Sequence, residues 1–176
     1  MQPFESSQPS LNQLFSDVVR DAFQSEIGRE CDPAIEAYLV SLLVRFLHTD
    51  QIFAIKNASG HRLVTVGDMI PEGDVRLNAD SFERERQVHQ HIGDFLLFWN
   101  GVFPEFLKQL RVQHGADLIC DYTRQGKESY HVVSTFDLPP HDKEAPTFRK
   151  LSEEFEMYAF ALRGVRRQVG GTFGWA

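Results

Sequence analysis

The sequence predicts an all-α fold, a single-domain bundle of about six helices with a short irregular or hairpin insertion. Apolar residues recur at three- and four-residue spacing over long stretches, and capping residues and prolines mark where those stretches begin. The 176 residues are enough for one domain with a sizeable core. We expect that domain at residues 10–169, between a flexible N-terminus (1–9) and a flexible C-terminal tail (170–176), whose Phe173 and Trp175 are candidates for docking on a groove.

The first two predicted helices have clear boundaries. The first begins at Ser10, carries one apolar stripe and stops near Gly28. Asp32 is placed to cap the second helix, and Pro33 fits its first position, where the missing N–H costs nothing. The second helix is apolar on nearly all sides, which predicts a central place in the bundle.

Residues 49–80 form the least regular segment. Alternating residues at 52–57, the turn signal Ser59–Gly60 and the run that ends at Val66 are typical of either a small β-hairpin or a helix end followed by an irregular crossover. Because an isolated hairpin is only marginally stable, the sequence favours irregular structure with at most two short strands.

A third and a fourth helix follow this segment. Asp80 and Glu83 have the spacing of a capping box, and the third helix is expected to run to about Asn100. Gly101 then supplies a residue for the left-handed position that ends many helices. Pro104 fits the first position of a short fourth helix.

The last two predicted helices flank a polar linker at 138–146. The fifth helix is expected over about residues 116–136, and the sixth from Pro146 or Thr147 to about Val169. Consecutive prolines in the linker prevent the fifth helix from continuing.

Composition excludes several classes of function. The net charge of -7 argues against a nucleic-acid surface, and the basic cluster Arg163, Arg166 and Arg167 is interpreted as solvated or paired. Cys31 and Cys120 lie far apart, with no spacing that indicates a disulfide framework or a zinc site. No secretory signal and no apolar run of membrane-spanning length is visible, so we expect a cytoplasmic protein.

The third helix carries the first candidate site. Glu85 and His89 are four residues apart, hence adjacent on the helix surface and close to its apolar stripe. They predict either a ligand or metal site completed by a facing helix, or an ion pair that fixes helix register. His91 and Asp94 have a similar spacing toward the flank, where a solvated or paired role is favoured.

Further candidates lie on the fifth and sixth helices. Tyr122 and Tyr130 flank Gly126 on the apolar face of the fifth helix, where a glycine permits close helix packing or leaves a notch for a ligand. Arg166 continues the apolar stripe of the sixth helix and needs a carboxylate, with Glu85 or Asp94 as possible partners. The lone E-x-x-H motif at Glu128 faces away from the stripe and has no second copy in the chain, so it does not predict a ferritin-like di-metal centre.

Three segments resemble a group of uncharacterised bacterial proteins: GDVRLNADSFERERQVHQHIGDFLLFWNGVFPE, DYTRQGKESYHVVSTF and FRKLSEEFEMYAFALRGVRR. The resemblance spans most of residues 70–167. It implies a bacterial, cytoplasmic single domain and carries no activity, cofactor or functional residue.

Two functions follow as hypotheses. The first is a non-enzymatic helical module for protein interaction or self-association, with a protein partner or a homo-oligomer and neither nucleic acid nor membrane. The alternative is a ligand- or metal-binding protein or enzyme whose pocket lies between the third, fifth and sixth helices. Its cofactor is unknown, and its polar groups would be Glu85, His89, His91, Asp94, Tyr122, Tyr130 and Arg166.

Overall fold

The computed structural model describes residues 10–117 and 120–175, and that part of the chain is all-α, as predicted. Its helices are α1 (Leu11–Ala22), α2 (Pro33–Phe46), α3 (Thr49–Ile52), α4 (Val66–Glu72), α5 (Phe82–Val102), α6 (Pro104–Gln113), α7 (Tyr122–Ser134), α8 (Ala145–Glu153) and α9 (Phe155–Phe173). A π-helical turn (Phe23–Ile27) extends α1, and a 3-10 turn (Gly115–Asp117) precedes α7. The N-terminal segment 1–9 lies outside the described residues.

The central element is α5. It packs most extensively against α7 and then against α9, and its residues from His91 to Phe98 are all buried. The expectation of a central second helix was wrong. The apolar surface of α2 is instead divided among α1, α3, α5 and α8, which explains why that helix is apolar on several sides.

Local signals placed most helix ends correctly. The Asp32 carboxylate accepts hydrogen bonds from the backbone N–H groups of Ala34 and Ile35, and Gly28 ends the first helical segment with a φ of 75°. The third predicted helix begins one residue later than expected, because Ser81 and not Asp80 caps it. It also continues through Gly101.

Three predicted segments differ from the structure. Residues 49–80 contain the short helices α3 and α4, joined by irregular chain with an isolated bridge between Lys56 and Arg62. The fifth predicted helix begins only at Tyr122. The sixth divides at Glu154, so that α8 packs mainly on α7 while α9 packs mainly on α5 and α1.

The C-terminal tail was expected to be flexible, but α9 extends to Phe173 and Trp175 is buried. Trp175 packs in a cluster of aromatic rings that includes Phe15, Phe98 and Phe103. Ring burial supplies the stabilisation that the glycine-rich sequence lacks locally.

None of the helices in the described ranges has the length and hydropathy that a bilayer crossing requires. The cytoplasmic location stays a prediction.

Gly93 and Gly126 each permit a close contact between helices. A Cβ atom on Gly93 of α5 would lie 2.6 Å from the ring of Tyr130, and one on Gly126 of α7 would lie 2.6 Å from the ring of Phe155. The space beside Gly126 is therefore occupied by the Phe155 ring. Of the two alternatives for this glycine, the structure shows close helix packing and not a notch for a ligand.

We expect Gly93→Ala to lower the free energy of unfolding by about 1–3 kcal/mol, because the added methyl group overlaps the Tyr130 ring. Gly171→Ala is the matched control. Gly171 lies in α9 with no neighbour within 4 Å, so alanine there should stabilise by about 0.5–1 kcal/mol. Urea denaturation of both variants checks this, and equal effects would contradict the packing account.

Candidate functional site

A strongly constrained polar group in the core is the carboxylate of Asp94 on α5, whose side chain is 1% exposed. Its Oδ1 accepts hydrogen bonds from the hydroxyl groups of Tyr38 at 2.5 Å and Tyr130 at 2.8 Å. Its Oδ2 accepts from Nη2 of Arg45 at 3.0 Å. The carboxylate thus joins α2 and α7 to α5.

This cluster continues along α5 toward its N-terminus. Gln90 donates to the Tyr38 hydroxyl at 3.3 Å and accepts from Arg86 at 3.4 Å. Arg86, which is also buried, donates to Glu144 at the start of α8 at 2.5 Å. Arg86, Gln90 and Asp94 are spaced by four residues and therefore lie on one face of the helix.

The electrostatics of the cluster fix its protonation states. Burial, and after it the charge of Asp94, raises the pKa values of Tyr38 and Tyr130 well above their usual range, so both hydroxyl groups stay protonated as donors. Burial works to lower the pKa of Arg45, but the attraction of Asp94 outweighs it and the net shift is upward. Both carboxylate oxygens are occupied by donors, which suits a structural role better than proton transfer.

The predicted Glu85–His89 pair is not formed. No hydrogen bond or ion pair joins the two side chains in the described part of the chain. Instead His89 Nδ1 lies 3.3 Å from Oγ of Ser129 on α7, and its ring packs against Gly73. Tertiary contacts have drawn the histidine away from its helical neighbour.

His91 is buried beside the rings of Phe46 and Phe95. Its Nε2 is enclosed and has no hydrogen-bond partner among the described residues. Burial lowers the pKa values of both His89 and His91 below the ordinary 6.5, so both rings are neutral at pH 7.

Tyr122 belongs to a separate cluster. Its hydroxyl donates to Oδ2 of Asp117 at 3.0 Å, and this fully buried carboxylate also accepts from the backbone N–H groups of Val66 and Gly67 at 3.2 and 2.7 Å. Asp117 therefore caps the N-terminus of α4 from a distant part of the chain.

Arg166 binds neither of its expected partners. It forms an ion pair with Glu105 at 2.8 Å and donates to the backbone carbonyl oxygens of Val102 at 2.9 Å and Trp175 at 3.0 Å. Arg166 stabilises the C-terminal end of α5, because its positive charge lies at the negative end of the helix dipole. Its hydrogen bond to the Trp175 carbonyl oxygen also holds Trp175 in place.

The seven predicted site residues thus do not converge on one pocket. The structure joins Asp94 to Tyr130 by a hydrogen bond and leaves His91 close enough to Asp94 for their charges to interact. His89, Tyr122 and Arg166 have other partners, and Glu85 is half-buried on α5. No group of three or more histidine, cysteine or carboxylate side chains with metal-site geometry occurs within residues 10–117 and 120–175.

Sequence reasoning missed four members of the Asp94 cluster: Tyr38, Arg45, Arg86 and Gln90. Signals for them were present. Arg86, Gln90 and Asp94 repeat every four residues, and Tyr38 and Arg45 are seven residues apart, two turns along one face of α2. The spacing shows that three of these side chains share one face of α5 and two share one face of α2. It does not show that the two helix faces pack against each other.

Several surface grooves are lined by polar side chains, and the following two are among them. One, of about 850 Å³, lies between α1 and α2, where Glu36 is bound by Ser16 and Arg20. The other, of about 470 Å³, lies where α5, α6, α7 and α9 meet and includes Tyr122.

No protein-family model matches the chain, and comparisons with curated proteins and with solved structures found no match either. The resemblance to bacterial proteins stays a prediction.

Asp94→Asn should lower the free energy of unfolding by about 2–4 kcal/mol, because it leaves Arg45 without its counter-charge and disturbs two tyrosine hydrogen bonds. Tyr130→Phe, which removes one hydrogen bond, should cost about 1–2 kcal/mol. Glu128→Gln is the control. Among the described residues this exposed side chain pairs only with Arg124, so its loss should stay within about 0.5 kcal/mol. A small effect of Asp94→Asn in urea denaturation would refute the structural role.

Stability should fall as the pH is lowered from about 7.5 to about 5.5. The folded-state pKa values of His89 and His91 lie below 6.5, so as pH falls through 6.5 the unfolded chain takes up protons first. His91→Gln should flatten this dependence, and His131→Gln, at an exposed position, should leave it unchanged. Urea denaturation at the two pH values measures both, and equal slopes in all three proteins would contradict the assignment.

Proposed function

We propose that this protein is a non-enzymatic binding module that acts by self-association, with a second copy of the chain as its partner. The observation that carries the proposal is an exposed apolar surface at the N-terminal end of α5. We call it the apolar end patch and define it as Leu77, Phe82 and Leu138, which are 65%, 69% and 75% exposed.

The patch is built on two segments that are tied together. Leu77 lies in the turn leading into α5, and Phe82 is the first residue of that helix. Leu138 lies in the turn whose His141 contacts Glu83 of α5 at 2.9 Å. Large apolar side chains exposed on neighbouring segments are typical of interaction surfaces.

The charges around the patch favour a second copy as the partner. Both signs are present at its border: exposed Lys143 is cationic, Arg76 is paired with Asp74, and Asp80, Glu83, Asp137, Asp142 and Glu144 are exposed anions. A two-fold contact places the same surface on both sides, so it needs an apolar centre and a border that complements itself. A border of one sign would repel its copy in a chain of net charge -7.

The state of the buried polar groups supports a binding role over catalysis. The Asp94 carboxylate is satisfied by Tyr38, Arg45 and Tyr130, and the Asp117 carboxylate is satisfied by Tyr122 and two backbone N–H groups. The bundle therefore acts as a rigid support for its surfaces. A cytoplasmic location is part of this proposal.

Sedimentation velocity over a concentration series tests the proposal on the full chain. The wild type should form a dimer as concentration rises. Phe82→Glu and Leu138→Glu should each shift it to monomer, because a charge buried against a second apolar patch is costly. Neither residue belongs to the core, so folding is retained.

Val112→Glu is the matched control, since Val112 is 84% exposed on α6, away from the patch. It should leave the dimer intact. A wild type that stays monomeric throughout would overturn the proposal, as would a control that dissociates as readily as Phe82→Glu.

A further inference from the structure

A second surface of the molecule collects positive charge. The groove of about 470 Å³ where α5, α6, α7 and α9 meet is lined by Lys108, Arg111 and Arg163, and no carboxylate is among its lining residues. Its other walls include Asn100, Leu107 and Tyr122. We call it the cationic groove. The chain as a whole has a net charge of -7, so a groove lined by three positive side chains and no negative one differs from the average surface.

The three cations of the groove are not ion-paired in the part of the chain that the structure describes, although Glu105, which pairs with Arg166, lies close enough to Lys108 for their charges to interact. None of them forms an ion pair within the described residues, whereas buried or half-buried arginines elsewhere do: Arg45 with Asp94, Arg86 with Glu144 and Arg166 with Glu105. Cations that share a groove with no carboxylate among its lining residues repel one another. A bound anion would remove that repulsion.

The position of Arg111 is fixed before any ligand binds. Its guanidinium lies 4.7 Å from the centre of the Tyr122 ring, and its Nη2 donates to the carbonyl oxygen of Cys120 at 2.7 Å. Its Nε is enclosed without a partner in the described part of the chain. The guanidinium is thus held in place while most of its donors remain unused, which lowers the entropy cost of binding.

We propose that the cationic groove binds a small organic anion, a phosphate or carboxylate group attached to an apolar or aromatic moiety. Guanidinium and ammonium groups provide the donors that these oxyanions prefer. Leu107 and the Tyr122 ring supply apolar wall, and the volume lies in the range of small-molecule sites. Three cations in an acidic chain are too few for a nucleic-acid surface.

This site is independent of the self-association proposed above. Asn100 in the groove and Phe82 in the apolar end patch lie at opposite ends of α5, 18 residues and therefore about 27 Å apart along the helix. Ligand binding and dimer formation can therefore succeed or fail separately.

Isothermal titration calorimetry of the full chain with phenyl phosphate, benzoate and inorganic phosphate tests the inference. Phenyl phosphate or benzoate should bind, and the tighter of the two identifies the anionic group. Inorganic phosphate should bind more weakly than phenyl phosphate, because it lacks the ring. Equal affinities would refute the apolar part of the proposal.

Lys108→Gln and Arg163→Gln should each weaken binding about tenfold, through the loss of one charge-assisted hydrogen bond. Both residues are exposed and outside the core, so these variants fold. Arg149→Gln, an exposed arginine on α8, is the matched control and should bind as the wild type does. Absence of binding by both aromatic anions would overturn the proposal, as would groove variants that bind normally or a control that loses as much affinity.

Discussion

The contact between Gly93 and the ring of Tyr130 is the constraint on which the rest of the structure depends. Only a residue without a side chain lets α7 approach α5 this closely. The same approach carries the Tyr130 hydroxyl to Asp94, one residue further along α5. Asp94 then reaches α2 through Tyr38 and Arg45. One steric condition and one buried charge thus set the relative positions of three helices.

The polar face of α5 gives this arrangement its specificity. An apolar bundle tolerates rotation or sliding of its helices, whereas a buried carboxylate that needs three donors is satisfied in one arrangement only. Arg86 and Gln90 extend the same requirement to α8 through Glu144. A buried ion pair adds little net stability over apolar packing, so its contribution here is to the choice of structure.

The sequence predicted what depends on neighbouring residues and missed what depends on distant ones. Asp32 and Gly28 mark helix ends by local hydrogen bonding and backbone freedom, and the structure confirmed both. The partners of Arg166 and His89 are set by which helices meet, which spacing along one helix does not reveal. The all-α class and the packed role of Gly126 were therefore predictable, whereas the Asp94 cluster, the cap by Asp117 and the exposure of Phe82 were not.

The packing of Trp175 against Phe15 has a topological consequence. It brings the end of α9 beside the first turns of α1, so the described chain enters and leaves the bundle on the same side. A domain whose two ends are neighbours can be inserted into a loop of another protein, or circularly permuted, without opening its core. The aromatic contact that orders the glycine-rich segment thus also makes the described bundle suited to insertion or circular permutation.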